Sequence, residues 1–171
     1  MASSLFAADT VDHTPNCDIL QIINDFCLSY EQELCNKDLL LSTRVDPDLP
    51  RFFIADPSMI MQLLHELSQV SLVQDARGCV VLDFKAEQEN EDRYFISITI
   101  TMSGNGIPGS KEKDLFSPYK MKDGKTTGET GPTLYYARKI SRFYDGDISV
   151  KNSFGFGTRF MVKIRLSCMD E

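Results

Sequence analysis

Ile96-Ser-Ile-Thr-Ile-Thr-Met-Ser-Gly-Asn-Gly-Ile107 decides how the rest of this chain reads. Ile96, Ile98, Ile100 and Met102 alternate with Ser97, Thr99 and Thr101, the two-residue period of a strand with one buried face. The pattern stops at Ser103-Gly-Asn-Gly-Ile-Pro108, where two glycines and a proline make a turn that lets backbone approach a ligand closely. A strand running into Gly-x-Gly is also what a plain turn looks like, so its neighbours in the sequence carry the interpretation.

Upstream, Ile19, Ile22, Ile23, Phe26, Cys27, Tyr30 and Leu34 fall at helical spacing over 18–36, with Asn16 or Asp18 as the cap. Leu39 to Val45 reads as a strand, Asp46-Pro-Asp-Leu-Pro50 as a turn and Phe52-Phe-Ile54 as a short edge strand. Asp56 then caps a helix with Pro57 in its first turn and Ile60, Leu63, Leu64, Leu67, Val70 and Ser71 on its inner face. Gly78 ends the connection to strands Val80–Phe84 and Tyr94–Thr101, joined by the acidic loop Glu87–Asp92. Downstream, the loop Asn105–Thr130 carries five lysines (111, 113, 120, 122 and 125), and a helix follows from about Gly131 to Phe143. Gly146 opens a last hairpin with strands Ile148–Lys151 and Arg159–Leu166. The pattern predicts an α/β (α+β) two-layer sandwich: a mixed, mostly antiparallel sheet with three helices on one face.

The bulk composition narrows the function classes. A chain of 171 residues suits one well-buried domain, here 17–171, after a small, polar, flexible lead-in at 1–16. A net charge of −7 argues against non-specific binding to nucleic acid or an anionic membrane. No apolar run is long enough to span a bilayer, and the N-terminus lacks the basic start of a secretory signal. The five cysteines (17, 27, 35, 79 and 168) form no Cys-x-x-Cys pair; they read as scattered reduced thiols, consistent with a cytoplasmic setting.

The order of motifs carries a resemblance. A helix bearing Glu66, the strand and Gly104-Asn-Gly106 turn, Phe116-Ser-Pro-Tyr119, Gly128-Glu-Thr-Gly-Pro-Thr-Leu134 and Gly155-Phe-Gly-Thr158 follow one another as in the ATP-binding domain of sensor histidine kinases. That domain belongs to the superfamily that also holds gyrase-type, chaperone and mismatch-repair ATPases. The resemblance covers roughly residues 17–167 and implies the histidine-kinase-type ATPase fold.

It also assigns roles. The family's Glu/Asn-x-x-x-Asn helix matches Glu66-Leu-Ser-Gln-Val70, but Val70 stands where the family's Asn ligates magnesium, and an isopropyl group has no oxygen for a hard cation. Gln69 is adjacent but about 100° round the helix. Glu66 keeps an acidic group where relatives orient water or substrate; an ordinary surface carboxylate is the other reading. In the family's Asp-x-Gly-x-Gly-Ile motif, Gly104 and Gly106 are kept, while Met102 replaces the Asp that accepts from the adenine amino group. A thioether is a weak acceptor, so Met102 reads as core packing. Phe116 and Tyr119 match the lid aromatics. In the second glycine motif Thr130, Gly131 and Leu134 are kept; Glu129 and Thr133 replace glycines, and Pro132 removes an amide donor. The lid lysines read either as a solvated loop or as an offset to the Glu129 charge. Thr158 completes the degenerate nucleotide pocket.

Two functions from different classes follow from the resemblance. The first is a domain of two-component signalling that has lost normal Mg-ATP binding, expects no cofactor or metal, and acts by contact with a histidine kinase or response regulator. The second is an active domain that uses ATP and magnesium, with Glu66, Gln69 and the lid lysines substituting, to phosphorylate a histidine on a separate segment. A phosphotransfer protein is disfavoured, because neither His13 nor His65 lies on a recognisable helical hairpin; His13 reads as part of a solvated tail and His65 as a structural or pocket-edge residue.

Overall fold

The computed structural model describes residues 16–73, 76–107, 114–118, 134–153 and 155–169. The readings placed on His13, the lid lysines, Tyr119 and residues 128–133 fall outside the described residues, as do the side chains of Val70 and Ser71. In chain order the elements are β1 (Asn16–Asp18), α1 (Ile19–Cys35), β2 (Leu40–Val45), β3 (Phe52–Ile54), α2 (Pro57–Val73), β4 (Ala76–Gln88), β5 (Arg93–Gly104), α3 (Tyr135–Phe143), β6 (Asp147–Ser153) and β7 (Gly157–Cys168). The strands form one seven-stranded sheet in the order β1-β3-β7-β5-β4-β2, with β6 also on β7. Only β2 and β4 run parallel. This is the mixed, mostly antiparallel sheet that the alternation predicts.

β5 is the centre of the sheet. It pairs with β4 on one side and, from Arg93 to Met102, with β7 on the other. Ile96, Ile98, Ile100 and Met102 are buried under the helices, whereas Ser97, Thr99 and Thr101 face the other way and are half-exposed. β4 and β7 keep the same phase, burying Val80, Leu82 and Phe84, and Phe160, Val162, Ile164 and Leu166. Ile22, Ile23, Phe26 and Tyr30 of α1 and Ile60, Leu63, Leu64 and Leu67 of α2 close the core. Each such side chain contributes about 1.5–3 kcal/mol by leaving water. Ser68, absent from the expected inner face, is also buried, and its hydroxyl donates to the His65 carbonyl at 2.8 Å.

Caps fix the helix entries. Asp18, rather than Asn16, caps α1 by accepting from the Gln21 amide at 3.1 Å, and it holds Arg51 at 2.9 Å. Arg51 keeps the Asp18 carboxyl below its ordinary pKa, by hydrogen bonding first and by charge second. Asp56 accepts from the Ser58 amide at 2.8 Å at the start of α2, while its own amide donates to the Tyr144 hydroxyl at 3.0 Å. That second bond ties the end of α3 to the start of α2. Arg138 of α3 makes a two-pronged bond to Asp147 of β6, at 2.8 and 3.3 Å, and Arg142 joins at 3.4 Å.

Three expectations are corrected. Phe52–Ile54 is not an edge strand, because β1 pairs outside it. Asn16, placed in the flexible lead-in, already pairs with Ile54. Gly78 does not end a connection; it lies inside β4 with a positive φ of 81°, where the register to β5 shifts between Ala76 and Val80, as in a bulge.

Two glycines in the last turn separate two kinds of cost. A Cβ on Gly157 would lie 2.0 Å from the Met102 carbonyl oxygen, so that β7 and β5 meet there only because no side chain intervenes. A Cβ on Gly155 would meet nothing within 4 Å, leaving only the strain of its φ of +83°. Gly155→Ala should therefore cost about 1–2 kcal/mol and Gly157→Ala more than about 3 kcal/mol, measured by urea unfolding; equal losses would count against this packing. The Arg138–Asp147 bond gives a pH signature. The Asp147 carboxyl sits below its ordinary value of 3.8, chiefly through the Arg138 hydrogen bond, so its contribution is full above that value and fades as pH falls through the lowered one. Asp147→Asn should be less stable than the parent at pH 7, with the gap closing as pH falls through the lowered value; a gap of the same size at neutral pH and in strong acid would contradict it.

Candidate functional site

At the end of β5, one row of side chains crosses four strands on the helix-facing side of the sheet. Val80 of β4 pairs with Met102, Met102 with Thr158 of β7, and Thr158 with Asn152 of β6. Met102 is 3% exposed and Thr158 4%, so the row is closed to water at its centre. The Thr158 hydroxyl donates to the Asn152 side-chain oxygen at 3.1 Å and not to the Met102 sulfur. The same Asn152 oxygen accepts from the Ile107 amide at 2.8 Å, and the Asn152 amide group donates to the Ile107 carbonyl at 2.6 Å.

Asn152 thus pins the loop that leaves β5. Gly104 and Gly106 carry φ of 150° and 77°, backbone that other residues rarely adopt. The Gly155 amide donates to the Asn105 carbonyl at 2.9 Å, tying the loop also to the β6–β7 turn. Both glycines of the motif are therefore used to turn the chain over the Met102–Thr158 row.

The remaining described site residues come from three places. Leu134 is fully buried where α3 begins, and its amide donates to the Leu115 carbonyl at 2.6 Å. This bond joins the short 114–118 segment to α3. Phe116 of that segment lies under the Arg138 guanidinium, 4.4 Å from its ring centre. Glu66 is half-buried on α2, and Val70 follows one turn later on the same helix. α2 packs against α3 and touches β5, so Glu66, Val70, Leu134 and Met102 belong to adjoining elements.

Two neighbours of Glu66 turn elsewhere. His65 packs edge-on against Phe26 of α1, with ring centres 5.5 Å apart. Gln69 reaches towards Glu33 of α1 at 3.5 Å. Tyr119, Thr130 and Gly131 lie outside the described residues.

Asn152 and Arg138 were not among the site residues read from sequence. Asn152 does leave a trace there: in Ile148-Ser-Val-Lys-Asn152 it occupies the apolar phase of the strand, and an amide on a buried face requires partners. Arg138 leaves none, because its ring and carboxylate partners are distant in sequence.

The match to the model of the histidine kinase-, DNA gyrase B-, and HSP90-like ATPase family spans residues 55–167, well over half of the chain. Among curated proteins, the sensor histidine kinase RcsC of Escherichia coli K12 is 29% identical over 149 residues, covering 85% of this chain and 15% of that protein. Hybrid signal transduction histidine kinase A of Dictyostelium discoideum is 30% identical over 135 residues, covering 73% of this chain and 6% of that protein. This chain therefore spans only a small part of the curated relatives it matches. Among solved structures, the nucleotide-free catalytic domain of histidine kinase ThkA superposes with a TM-score of 0.62 at 22% identity, over 87% of this chain and 92% of that one. The mycobacterial sensor histidine kinase MprB gives 0.62 at 13% identity, over 90% and 99%. At these identities the superpositions speak for the fold alone, and they agree with the sheet described above. By the family match, together with that fold, the chain belongs to the histidine kinase-, DNA gyrase B-, and HSP90-like ATPases.

Proposed function

We propose that this chain is a histidine-kinase-type ATPase domain of two-component signalling in which Mg-ATP binding is lost or much weakened, and that it acts by contact with a signalling protein such as a histidine kinase or response regulator. The observation that carries this reading is Met102. Where the resemblance places an aspartate to accept from adenine, a thioether lies 3% exposed between Val80 and Thr158. It offers an adenine amino group only a weak acceptor. An unpaired buried donor costs about 1–3 kcal/mol, roughly 5- to 150-fold in affinity.

The donor set for magnesium fits no better. A hard cation takes oxygen ligands, and Val70 has none on its side chain. Gln69, the nearest substitute, is turned towards Glu33 of α1. Glu66 supplies one carboxylate, which by itself is not a magnesium site. A cytoplasmic location goes with this reading, and among the described residues no helix is long and apolar enough to cross a membrane.

The active-kinase alternative rests on the retained Gly104–Gly106 turn, whose positive φ values keep the loop backbone of the family motif. One titration separates the two. Melting temperature should not move with millimolar ATP or ADP, with or without magnesium; a magnesium-dependent rise would mean native-state binding and would sink the first reading in favour of the second. Stability tests the role of Met102 independently. Met102→Leu should lie within about 1.5 kcal/mol of the parent, whereas Met102→Asp, which buries a charge without a partner, should cost several kcal/mol. A well-folded Met102→Asp protein would mean that the site is built for a carboxylate after all.

A further inference from the structure

Among the described residues no helix packs on the sheet face opposite α1–α3, and that face holds cations without a carboxylate partner, although the chain as a whole carries a net charge of −7. Several basic side chains stand on or beside it, among them Arg44, Lys85, Arg93, Lys151, Arg159, Lys163 and Arg165. Three are compensated within the chain, Arg44 by Asp83 at 2.6 Å, Lys163 by Glu87 at 3.2 Å and Arg165 by Glu89 at 3.1 Å. Lys85, Lys151 and Arg159 have no carboxylate partner among the described residues, and the Arg159 guanidinium reaches only the Thr101 hydroxyl at 3.3 Å. Between Lys85 and Arg159 runs a half-open groove of about 580 Å³, floored by Ser97, Thr99 and Met161; Asp46 and Asp83 also line it, Asp83 paired with Arg44 and Asp46 accepting from the Asp48 and Ala86 amides.

The spacing of the free cations suits an extended occupant. Lys85 shares its cross-strand row with Ser97, and Arg159 shares one with Thr101 and Val81. They are thus two strands apart across the sheet and four residues apart along it, about 9–10 Å by about 13 Å. A single compact anion meets both only if the two long side chains converge on it. An extended chain repeats its same-side groups every two residues at the pitch of the sheet itself, so two carboxylates a few residues apart can. The Ser97 and Thr99 hydroxyls between the cations can donate to such a segment.

We propose that this groove docks an acidic polypeptide segment of a partner protein in extended conformation, with Lys85 and Arg159 each taking a carboxylate. The surface lies on the opposite side of the sheet from Met102 and Thr158, so the proposal stands apart from the question of nucleotide binding.

The test uses the whole chain and a fluorescein-labelled ten-residue peptide of alternating Glu and Ser, read by fluorescence anisotropy. Binding should weaken as salt rises. It should fall by about tenfold or more in the Lys85→Glu, Arg159→Glu double variant and by less in the Lys85→Gln, Arg159→Gln variant. Both positions are exposed, and an unchanged melting temperature checks that each variant folds. No binding at millimolar peptide, equal affinity in the charge-reversed variant, or equal affinity for an alternating Lys-Ser peptide would overturn the proposal. Stronger capture by inorganic phosphate or by phosphatidylserine vesicles would overturn it in favour of a compact anion or a lipid surface. Self-association in sedimentation that disappears in the charge-reversed variant would overturn it in favour of a second copy of this chain.

Discussion

The pairing of β5 on both of its sides is the constraint from which the other contacts follow. Its register is fixed over nine residues with β4 and ten with β7, so the alternation of its side chains decides what each face of the whole sheet can be. A slip of one residue would put Ser97, Thr99 and Thr101 under the helices and turn three isoleucines to water. Gly157 draws β7 onto the Met102 carbonyl, which holds the end of β5 where the loop begins. The core, the site and the open face are three consequences of one phase.

At the site, that phase leaves little polar capacity unspent. Thr158 is buried, but its hydroxyl is committed to Asn152. The Asn152 oxygen serves both Thr158 and the Ile107 amide, and its amide group serves the Ile107 carbonyl. Buried polar groups are costly unless partnered, and here the partners come from the chain itself. The loop after Gly104 is consequently shaped by protein–protein hydrogen bonds. Phe116 and Leu134 extend the same economy: one is held by Arg138 and the other by the Leu115 carbonyl, so the start of α3 is fixed from within the domain.

How far this was legible in sequence depended on whether the signal was periodic. α1, α2 and β5 are long and amphipathic, and their apolar positions fall on the core faces that the spacing indicates, Ile22, Phe26 and Tyr30 in one case and Ile96 to Met102 in another. β1 was not legible. Three residues hold no period, and Asp18 serves at once as its last member and as the cap of α1, so the capping signal masked the strand. The edge position given to Phe52–Ile54 followed from missing β1. Gly78 reads as punctuation because a glycine that ends a strand and one that bulges a strand look alike until the partner register is known. The candidate site was legible where it rests on local motifs, such as Gly104-Asn-Gly106, and illegible where it rests on contacts distant in sequence, such as Arg138 with Phe116.

The two faces of the sheet also carry opposite electrostatic problems. On the helix side, the Met102 thioether is buried in the row between Val80 and Thr158, where burial of an apolar side chain favours packing. On the open side, Lys85, Lys151 and Arg159 keep charges that no carboxylate of the described chain neutralises. Exposed cations need no partner for stability, because water solvates them at little cost. Their arrangement is therefore not dictated by folding, whereas the burial of Met102 is. The helix side is explained by its own core, and the open side is the part of the molecule whose chemistry points outward to something else.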